Sequence, residues 1–516
     1  MRPKNEQVPH RPKARDVASD SPASPPPTGL REKLVTQMRL AQTGSLKSEG
    51  QLAEAFLTVT ESAPTTAEVA IVAVRQADWP QVNARLDGGI RAAAVLAGFS
   101  GEAGQIALVP DPGGRLSRVL VGLGSGDGDA ATFRGLAGRL PARDYRLEAA
   151  PPDADPTEIA VAFALGAYRF DRYKKANHPA SRLASPPGSD PEEVRRVTHA
   201  LALARDMINS PPNDMGPLQV ETIAREIAEA HGARITVSCG DALIEAGYPA
   251  VHAVGRAAAP HRAPRMIEIS WGDAVGPHLV LIGKGVVFDS GGLDIKPAAG
   301  MRIMKKDMGG AAHALALGRM VMDAKLPFRL TILTPVVENA IGGDAMRPGD
   351  VLASRKGLSI EVGNTDAEGR LILADALARA GELAPDLTVD LATLTGAARV
   401  ALGPDVPAFY TDDESLAAEI AAASARTGDP VWRMPLWSGY EAAIDSDVAD
   451  VTNDADPWAQ AGSVTAALFL RRFAPPGPWA HFDIFAWNPR NRPGWPKGAE
   501  VQAVRALYAL LRARCA

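Results

Sequence analysis

Apolar positions along this chain recur in two rhythms. Short apolar runs such as Glu68-Val-Ala-Ile-Val-Ala-Val74 and Arg118-Val-Leu-Val-Gly122 predict strands, and they alternate with helical patterns over Thr132 to Leu140 and Thr157 to Phe170. A Pro-, Gly-, Ser- and Asp-rich stretch, Ser185-Pro-Pro-Gly-Ser-Asp190, then predicts a boundary. A helix through Glu192 to Met207 leads into a second, larger region. Its predicted strands are Arg234 to Ser238, Arg265 to Ser270, His278 to Ile282, Arg329 to Pro335, Asp386 to Leu391 and Trp479 to Phe485. Near-continuous runs such as Leu279-Val-Leu-Ile282 fit strands buried on both faces of a sheet. Met308, Ala311, Leu315 and Met322 mark one face of an intervening helix. The pattern predicts an α/β fold: a smaller N-terminal α/β domain over 39–185, and a domain over 186–516 with a mostly parallel mixed sheet flanked by helices. Residues 1–38, with Pro-Ala-Ser-Pro-Pro-Pro at 22–27, read as a tail of little core-forming capacity.

Composition narrows the function classes. At 516 residues the chain exceeds one ordinary core, in keeping with more than one domain. Lys+Arg number 55 against 60 Asp+Glu, a balance that argues against nucleic acid as the main partner. No run of 18 apolar residues offers a membrane span, and the first 30 residues hold no apolar leader core. Cys239 and Cys515 cannot build a disulfide framework or a thiolate metal site, so a reducing, cytoplasmic setting is expected. Gly122-Leu-Gly-Ser-Gly126 lacks the spacing of a dinucleotide-binding turn and reads as a strand-to-helix connection.

Three segments within residues 283–370 concentrate charge where packing alone would not put it. Gly283-Lys-Gly-Val-Val-Phe-Asp-Ser-Gly-Gly-Leu-Asp-Ile-Lys-Pro297 follows the strand ending at Ile282. Met304-Lys-Lys-Asp-Met-Gly-Gly310 opens one helix, and Asn364-Thr-Asp-Ala-Glu-Gly-Arg-Leu371 opens another, with Leu373, Leu377 and Ala380 on its apolar side. Ligands of open α/β sheets bind beyond the carboxyl ends of the strands, where these segments fall. Asp289, Asp307, Asp366 and Glu368 would then converge. Four carboxylates in one pocket repel each other unless cations compensate, and a pair of divalent ions is the simplest account. Lys284 beside two dications loses its proton readily and can ligate a metal, whereas Lys296, kept charged, would steady a developing oxyanion. Arg370 keeps its proton and should bind an anion, either a substrate carboxylate or a small oxyanion that assists proton transfer.

These segments resemble the leucyl aminopeptidase (cytosol aminopeptidase) family of dinuclear metalloexopeptidases. The family signature Asn-Thr-Asp-Ala-Glu-Gly-Arg-Leu stands complete at 364–371. Gly-Lys-Gly at 283–285, Phe-Asp-Ser-Gly-Gly at 288–292, Ile-Lys-Pro at 295–297 and Asp-Met-Gly-Gly at 307–310 match the family's other site blocks in order. Asn209-Ser-Pro-Pro-Asn-Asp-Met-Gly-Pro217, Arg347-Pro-Gly-Asp350 and Asp390-Leu-Ala-Thr-Leu-Thr-Gly-Ala397 add support, and the likeness covers about 195–516. It implies that Lys284, Asp289, Asp307, Asp366 and Glu368 bind two divalent metals, Zn or Mn first and Mg or Co next, with Asp289 and Glu368 bridging. It implies Lys296 as electrophilic catalyst, Arg370 as holder of a bicarbonate general base, and Met304, Asn364, Thr393, Leu394 and Gly396 as lining of the substrate pocket. The activity implied is release of N-terminal amino acids from peptides with a free N-terminus, by attack of a metal-bridging water. The assembly implied is a homohexamer.

Departures sit where side-chain specificity is decided. The family's glycine-rich stretch is replaced by Asp454-Ala-Asp-Pro-Trp-Ala-Gln460, and after Trp479-Ala-His-Phe-Asp-Ile484 the ending differs, with Trp487 and Trp495 among prolines and arginines. The metal chemistry is therefore expected; a leucine preference is not. Other constellations lead elsewhere less well. Asp289-Ser-Gly-Gly292 is similar to the nucleophile segment of chymotrypsin-like serine proteases, but Phe288 stands where that pattern needs glycine, and Ser290 reads as a turn residue. No histidine is followed by Glu, so no H-E-x-x-H zinc helix exists. His313 and His481 read as helix-surface and structural groups, and Trp432, Trp437, Trp458 and Trp487 as core or interface residues. The alternative function, a DNA-binding regulatory role of an aminopeptidase-like hexamer, finds no helix-turn-helix signal.

Overall fold

The computed structural model describes residues 59–60, 68–125, 129–174, 180–455 and 460–515; the predicted tail lies outside them, as does Trp458. The first sheet has six strands in the order β1-β6-β5-β2-β4-β3. These are β1 (Val59–Thr60), β2 (Val69–Val74), β3 (Ile106–Pro110), β4 (Leu116–Gly122), β5 (Asp144–Ala149) and β6 (Arg182–Ala184). All neighbours are parallel except β3 and β4. The period of two along β2 and β4 divides their side chains between two cores. Ile71, Val119 and Val121 pack with Phe133, Leu136, Ile159 and Phe163, which come from helices Asp129–Ala137 and Pro156–Ala167. Val72, Val74 and Leu120 pack with Ile90 and Ala94 of helix Gly88–Leu96.

Helix Pro191–Asn209 follows, capped by Asp190, whose carboxylate accepts from the Glu192 and Glu193 amides. The second sheet has nine strands in the order β16-β15-β18-β14-β9-β11-β8-β7, with β10 also on β11. Its members are β7 (Arg234–Cys239), β8 (Arg265–Trp271), β9 (His278–Gly283), β10 (Gly285–Asp289), β11 (Arg329–Asn339), β14 (Leu387–Ala392), β15 (Ala408–Tyr410), β16 (Trp432–Arg433) and β18 (Trp479–Asp483). A small third sheet joins β12 (Val351–Ala353), β13 (Ser359–Glu361) and β17 (Val451–Thr452). The central run β18-β14-β9-β11 is parallel throughout, and antiparallel β7 and β8 close one side.

Burial on both faces explains the unbroken apolar text of these strands. Leu279 and Leu281 pack toward helix Gly309–Asp323 through Leu315 and Met320, while Val280 and Ile282 pack toward helix Glu368–Glu382 through Leu373 and Leu377. Several boundaries shift by a few residues, and two of the shifts bear on the site. The segment after Ile282 does not leave the sheet at once: Gly285–Asp289 pairs in parallel with the far end of β11, Gly285 opposite Val336 and Asp289 opposite Asn339. For the same reason β11 runs on to Asn339, past the predicted Pro335. The result places Lys284, Asp289, Thr393 and Asp483 at the same carboxyl edge of the sheet.

Candidate metal centre

Lys284 occupies the single-residue step between β9 and β10. Its amide donates to the Leu391 carbonyl of β14 at 3.0 Å and its carbonyl accepts from the Ala311 amide at 2.8 Å, so both sides of its backbone are fixed. The buried side chain brings Nζ to 2.8 Å from Asp307 Oδ2 and 2.9 Å from Glu368 Oε1, and donates to the Thr393 carbonyl at 3.2 Å. Asp289 ends β10. Its Oδ1 accepts from the Gly291 amide and from Asn339 Nδ2, both at 2.9 Å, and its Oδ2 lies 2.8 Å from Lys296 Nζ. Lys296 also pairs with Asp366. Asp307 sits on the short 3-10 turn Met304–Met308, where its Oδ1 accepts from Thr393 Oγ1 at 2.7 Å. Glu368 is the first residue of its helix, where the helix dipole favours a carboxylate.

The structure thus gathers Asp289, Asp307, Asp366 and Glu368 around Lys284 and Lys296, six sequence-selected residues in one cluster. Asp289, Asp366 and Glu368 each offer an oxygen within 4.8 Å of the others, and Asp307 joins them through Lys284. Glu368 Oε2 is buried without a hydrogen-bond partner. The buried Asp307 Oδ2 and Asp366 Oδ1 have only their lysine contacts. Buried carboxylate oxygens left unsatisfied cost free energy, and hard oxygen donors beside one amine are the donor set of a divalent ion. The residues fit the metals that the sequence implies.

Electrostatics tell the same story from the protein's own charges. Burial alone would favour neutral amines, yet Asp307, Glu368 and Asp289 hold Lys284 well above its ordinary value, and Asp289 and Glu368 do so for Lys296. Burial, followed by repulsion from Asp289, pushes the Glu368 and Asp366 carboxyls up. Asp307 stays below the usual range despite burial, because Lys284 and Lys306 flank it. On the protein's own charges the ammonium form of Lys284 is favoured, whereas the ligand role expected of it needs a neutral amine, so that role entails loss of a proton.

The loops around this centre are clamped by residues that the sequence did not single out. Thr365 and Asp294 tie the first and third segments together: the Asp294 amide donates to Thr365 Oγ1 at 2.9 Å, and the Thr365 amide to Asp294 Oδ2 at 2.8 Å. Buried Asp483, from β18, holds the 393–396 loop. Its Oδ1 accepts from the Leu394 and Thr395 amides at 3.1 and 3.0 Å, and its Oδ2 accepts from Thr395 Oγ1 at 2.6 Å. Asn364 turns inward on its own loop, its Oδ1 accepting from the Asp366 amide at 2.8 Å. Met304 is half-buried at the head of the turn that carries Asp307, while Gly396 is exposed. Arg370 donates from Nη1 to the Asn453 carbonyl at 2.7 Å, and its buried Nε has no partner. Desolvation lowers its pKa below the usual arginine value. Thr365 and Asp294 lie inside the conspicuous segments but were not selected there, and Asp483 is a single polar residue at the end of a strand.

One smaller expectation, that for His313, changes. His313 is fully buried rather than on a helix surface, with Nδ1 2.6 Å from the Gly309 carbonyl and Nε2 accepting from the Gln502 amide. Trp432 and Trp437 are mostly exposed, whereas Trp487 is buried. Ser290 and His481 act structurally: Ser290 Oγ donates to the Asn339 carbonyl at 2.7 Å, and His481 Nδ1 lies 2.6 Å from Asp390.

Comparison with known proteins decides the family. Residues 202–508 match the family model described as "Cytosol aminopeptidase family, catalytic domain", and residues 72–186 match "M17 aminopeptidase, N-terminal domain". The chain belongs to the cytosol aminopeptidase family. It is accordingly a metal-dependent aminopeptidase, a hydrolase acting on peptides. A probable cytosol aminopeptidase of Roseiflexus castenholzii is 40% identical over 379 residues, covering 70% of this chain and 77% of that protein. The crystal structure of the cytosol aminopeptidase of Coxiella burnetii superposes with a TM-score of 0.83 at 42% identity, covering 88% of this chain and 99% of that one. The bottromycin maturation enzyme BotP, solved in complex with Mn, gives a TM-score of 0.77 at 35% identity, covering 87% and 100%. Among the described residues no helix is long and apolar enough to cross a membrane.

Proposed function

We propose that Lys284, Asp289, Asp307, Asp366 and Glu368 would hold two divalent ions, Asp289 and Glu368 serving both, and that the protein so loaded removes the N-terminal residue of peptides. The observation that carries the reading is the crowd of buried carboxylate oxygens around Lys284 and Lys296, among which Glu368 Oε2 has no partner and Asp307 Oδ2 and Asp366 Oδ1 meet only a lysine. Zinc or manganese suits the donor set best, and the manganese complex of BotP supports the second. When bound, such ions supply Lewis-acid polarisation of the scissile carbonyl and lower the pKa of the attacking water.

The remaining chemistry belongs to side chains. Lys296, kept charged by Asp289 and Glu368, would donate from Nζ to the oxygen that gains charge as the carbonyl is attacked. Arg370, with its unsatisfied Nε, would hold bicarbonate in position to receive the proton shed by the attacking water. Met304, Asn364, Thr393, Leu394 and Gly396 would line the substrate pocket, with the Leu394 amide held by Asp483 and the Thr393 hydroxyl by Asp307.

The division into 39–185 and 186–516, the homohexamer and the cytoplasmic setting complete the reading. A panel of aminoacyl-amides, assayed on metal-stripped protein reloaded with Zn, Mn, Mg or Co, tests it. Hydrolysis should return with a transition metal and require a free α-amine; full hydrolysis after stripping, or of N-blocked substrates alone, would refute it.

A further inference from the structure

Asn453 is fully buried and has no place in the site residues named so far. It arrives directly after β17, whose parallel pairing with β13 carries the chain back beside the loop that bears Asp366 and Glu368. Its amide donates to the Glu361 carbonyl at 3.0 Å. Its side-chain Oδ1 accepts from the Gly363 and Asn364 amides at 2.8 and 3.2 Å, while Nδ2 donates to the Asn364 and Ala367 carbonyls at 2.8 and 3.2 Å. A primary amide has two N–H donors and one oxygen with two lone pairs, so this one is fully committed to the backbone of a single loop. The Asn453 carbonyl then accepts a hydrogen bond from Arg370 Nη1 at 2.7 Å, the one hydrogen bond of that guanidinium among the described residues.

One residue thus grips the metal-binding loop with its side chain and Arg370 with its main chain. We propose that Asn453 is a positioning residue: by pinning its own peptide at four points it fixes the direction of Arg370, and so the place where the anion held by Arg370 can sit. The inference rests on the anion-holding role given to Arg370 above. A residue that merely stapled the loop would affect stability and metal binding, but not the response to the anion.

The test is a double-mutant cycle of Asn453→Ala and Arg370→Ala on the full chain, reading kcat, KM, melting temperature and the bicarbonate concentration for half-maximal activation. Loss of an outer partner of this kind costs on the order of 10–100-fold in activity. Asn453→Ala should lower kcat by about that factor with KM little changed, raise the half-activating bicarbonate concentration about ten-fold, and cost almost nothing further when Arg370 is already alanine. If Arg370→Ala lowers kcat and Asn453→Ala multiplies that loss in full, or leaves the bicarbonate response unmoved, the positioning role is refuted while the Arg370 reading stands. If Arg370→Ala alone leaves kcat and the bicarbonate response intact, both fall together. Should Asn453→Ala fail to fold, the isosteric Asn453→Asp, which keeps the acceptor and removes both donors, enters the same cycle with the same outcomes.

Discussion

The Lys284 side chain passes directly over Gly369: a Cβ built on that glycine would come within 2.5 Å of Lys284 Cε and 2.6 Å of Nζ. The second residue of the Glu368 helix is thus a glycine for want of room, not for backbone freedom. Gly369→Ala should leave the fold standing, because the atoms it meets end a side chain. The lysine must move, and activity should fall by on the order of ten-fold or more with little change in melting temperature. Activity near the parent level would show that Lys284 has slack that the geometry denies.

Glu368 is costly as a carboxylate on the protein's own charges. Burial and repulsion from Asp289 push its pKa up, and Oε2 has no partner. Glu368→Gln should therefore melt no lower than the parent in chelator, yet lose the stabilisation the parent gains from added metal, which reaches about 2.7 kcal/mol at a hundred times the dissociation constant. Differential scanning fluorimetry with and without Zn or Mn reads both halves. A variant stabilised by metal as strongly as the parent would remove Glu368 from the ligand set.

The role proposed for Lys296 rests on its charge rather than its bulk. Lys296→Met should lower kcat by about 10²–10³-fold, the scale of one lost oxyanion donor, while KM shifts little. Steady-state kinetics on a leucyl or alanyl amide separates the two. A change confined to KM would assign the lysine to substrate binding instead.

Away from the site, His231 Nε2 lies 2.7 Å from Asp323 Oδ1. The hydrogen bond that His231 donates to Asp323 raises the histidine above its ordinary value; burial opposes the Asp323 charge, but that bond and nearby Arg319 bring the carboxyl lower. A histidine raised on folding stabilises fully below its unfolded pKa of ~6.5 and loses that contribution as pH rises through the folded value. A depressed aspartate does the opposite, contributing above its unfolded pKa of ~3.9 and losing it as pH falls. The pair should therefore matter most between roughly pH 4 and 6.5. The melting difference between parent and His231→Gln should be largest near pH ~5.5 and shrink by pH ~8.5. A difference that grows with pH would contradict the assignment.

Much of this was legible in the sequence because it rests on local pattern. Leu279-Val-Leu-Ile282 announced a strand buried on both faces, and the two faces do divide its side chains between two cores. The charged segments at 283–297, 304–310 and 364–371 were conspicuous because carboxylates and lysines beside glycines have no packing reason to be there. What stayed hidden depends on contacts between distant segments. Asn453 and Asp483 are single polar residues at strand ends, and only the pairing of β17 with β13 and of β18 with β14 aims them at the site. Gly285–Asp289 looked like a junction because the glycines at 283, 285, 291 and 292 suggest turns, yet pairing with β11 makes it a strand. Burial of His313 came from the Gln502 amide, 189 positions away.

The most direct test is to count ions. Protein stripped with chelator and titrated with Zn or Mn, with bound metal measured by elemental analysis and proton release followed alongside, should take up two ions per chain and shed protons as Lys284 is displaced from its ammonium form. Uptake of one ion or none at saturation, with peptide hydrolysis intact, would contradict it.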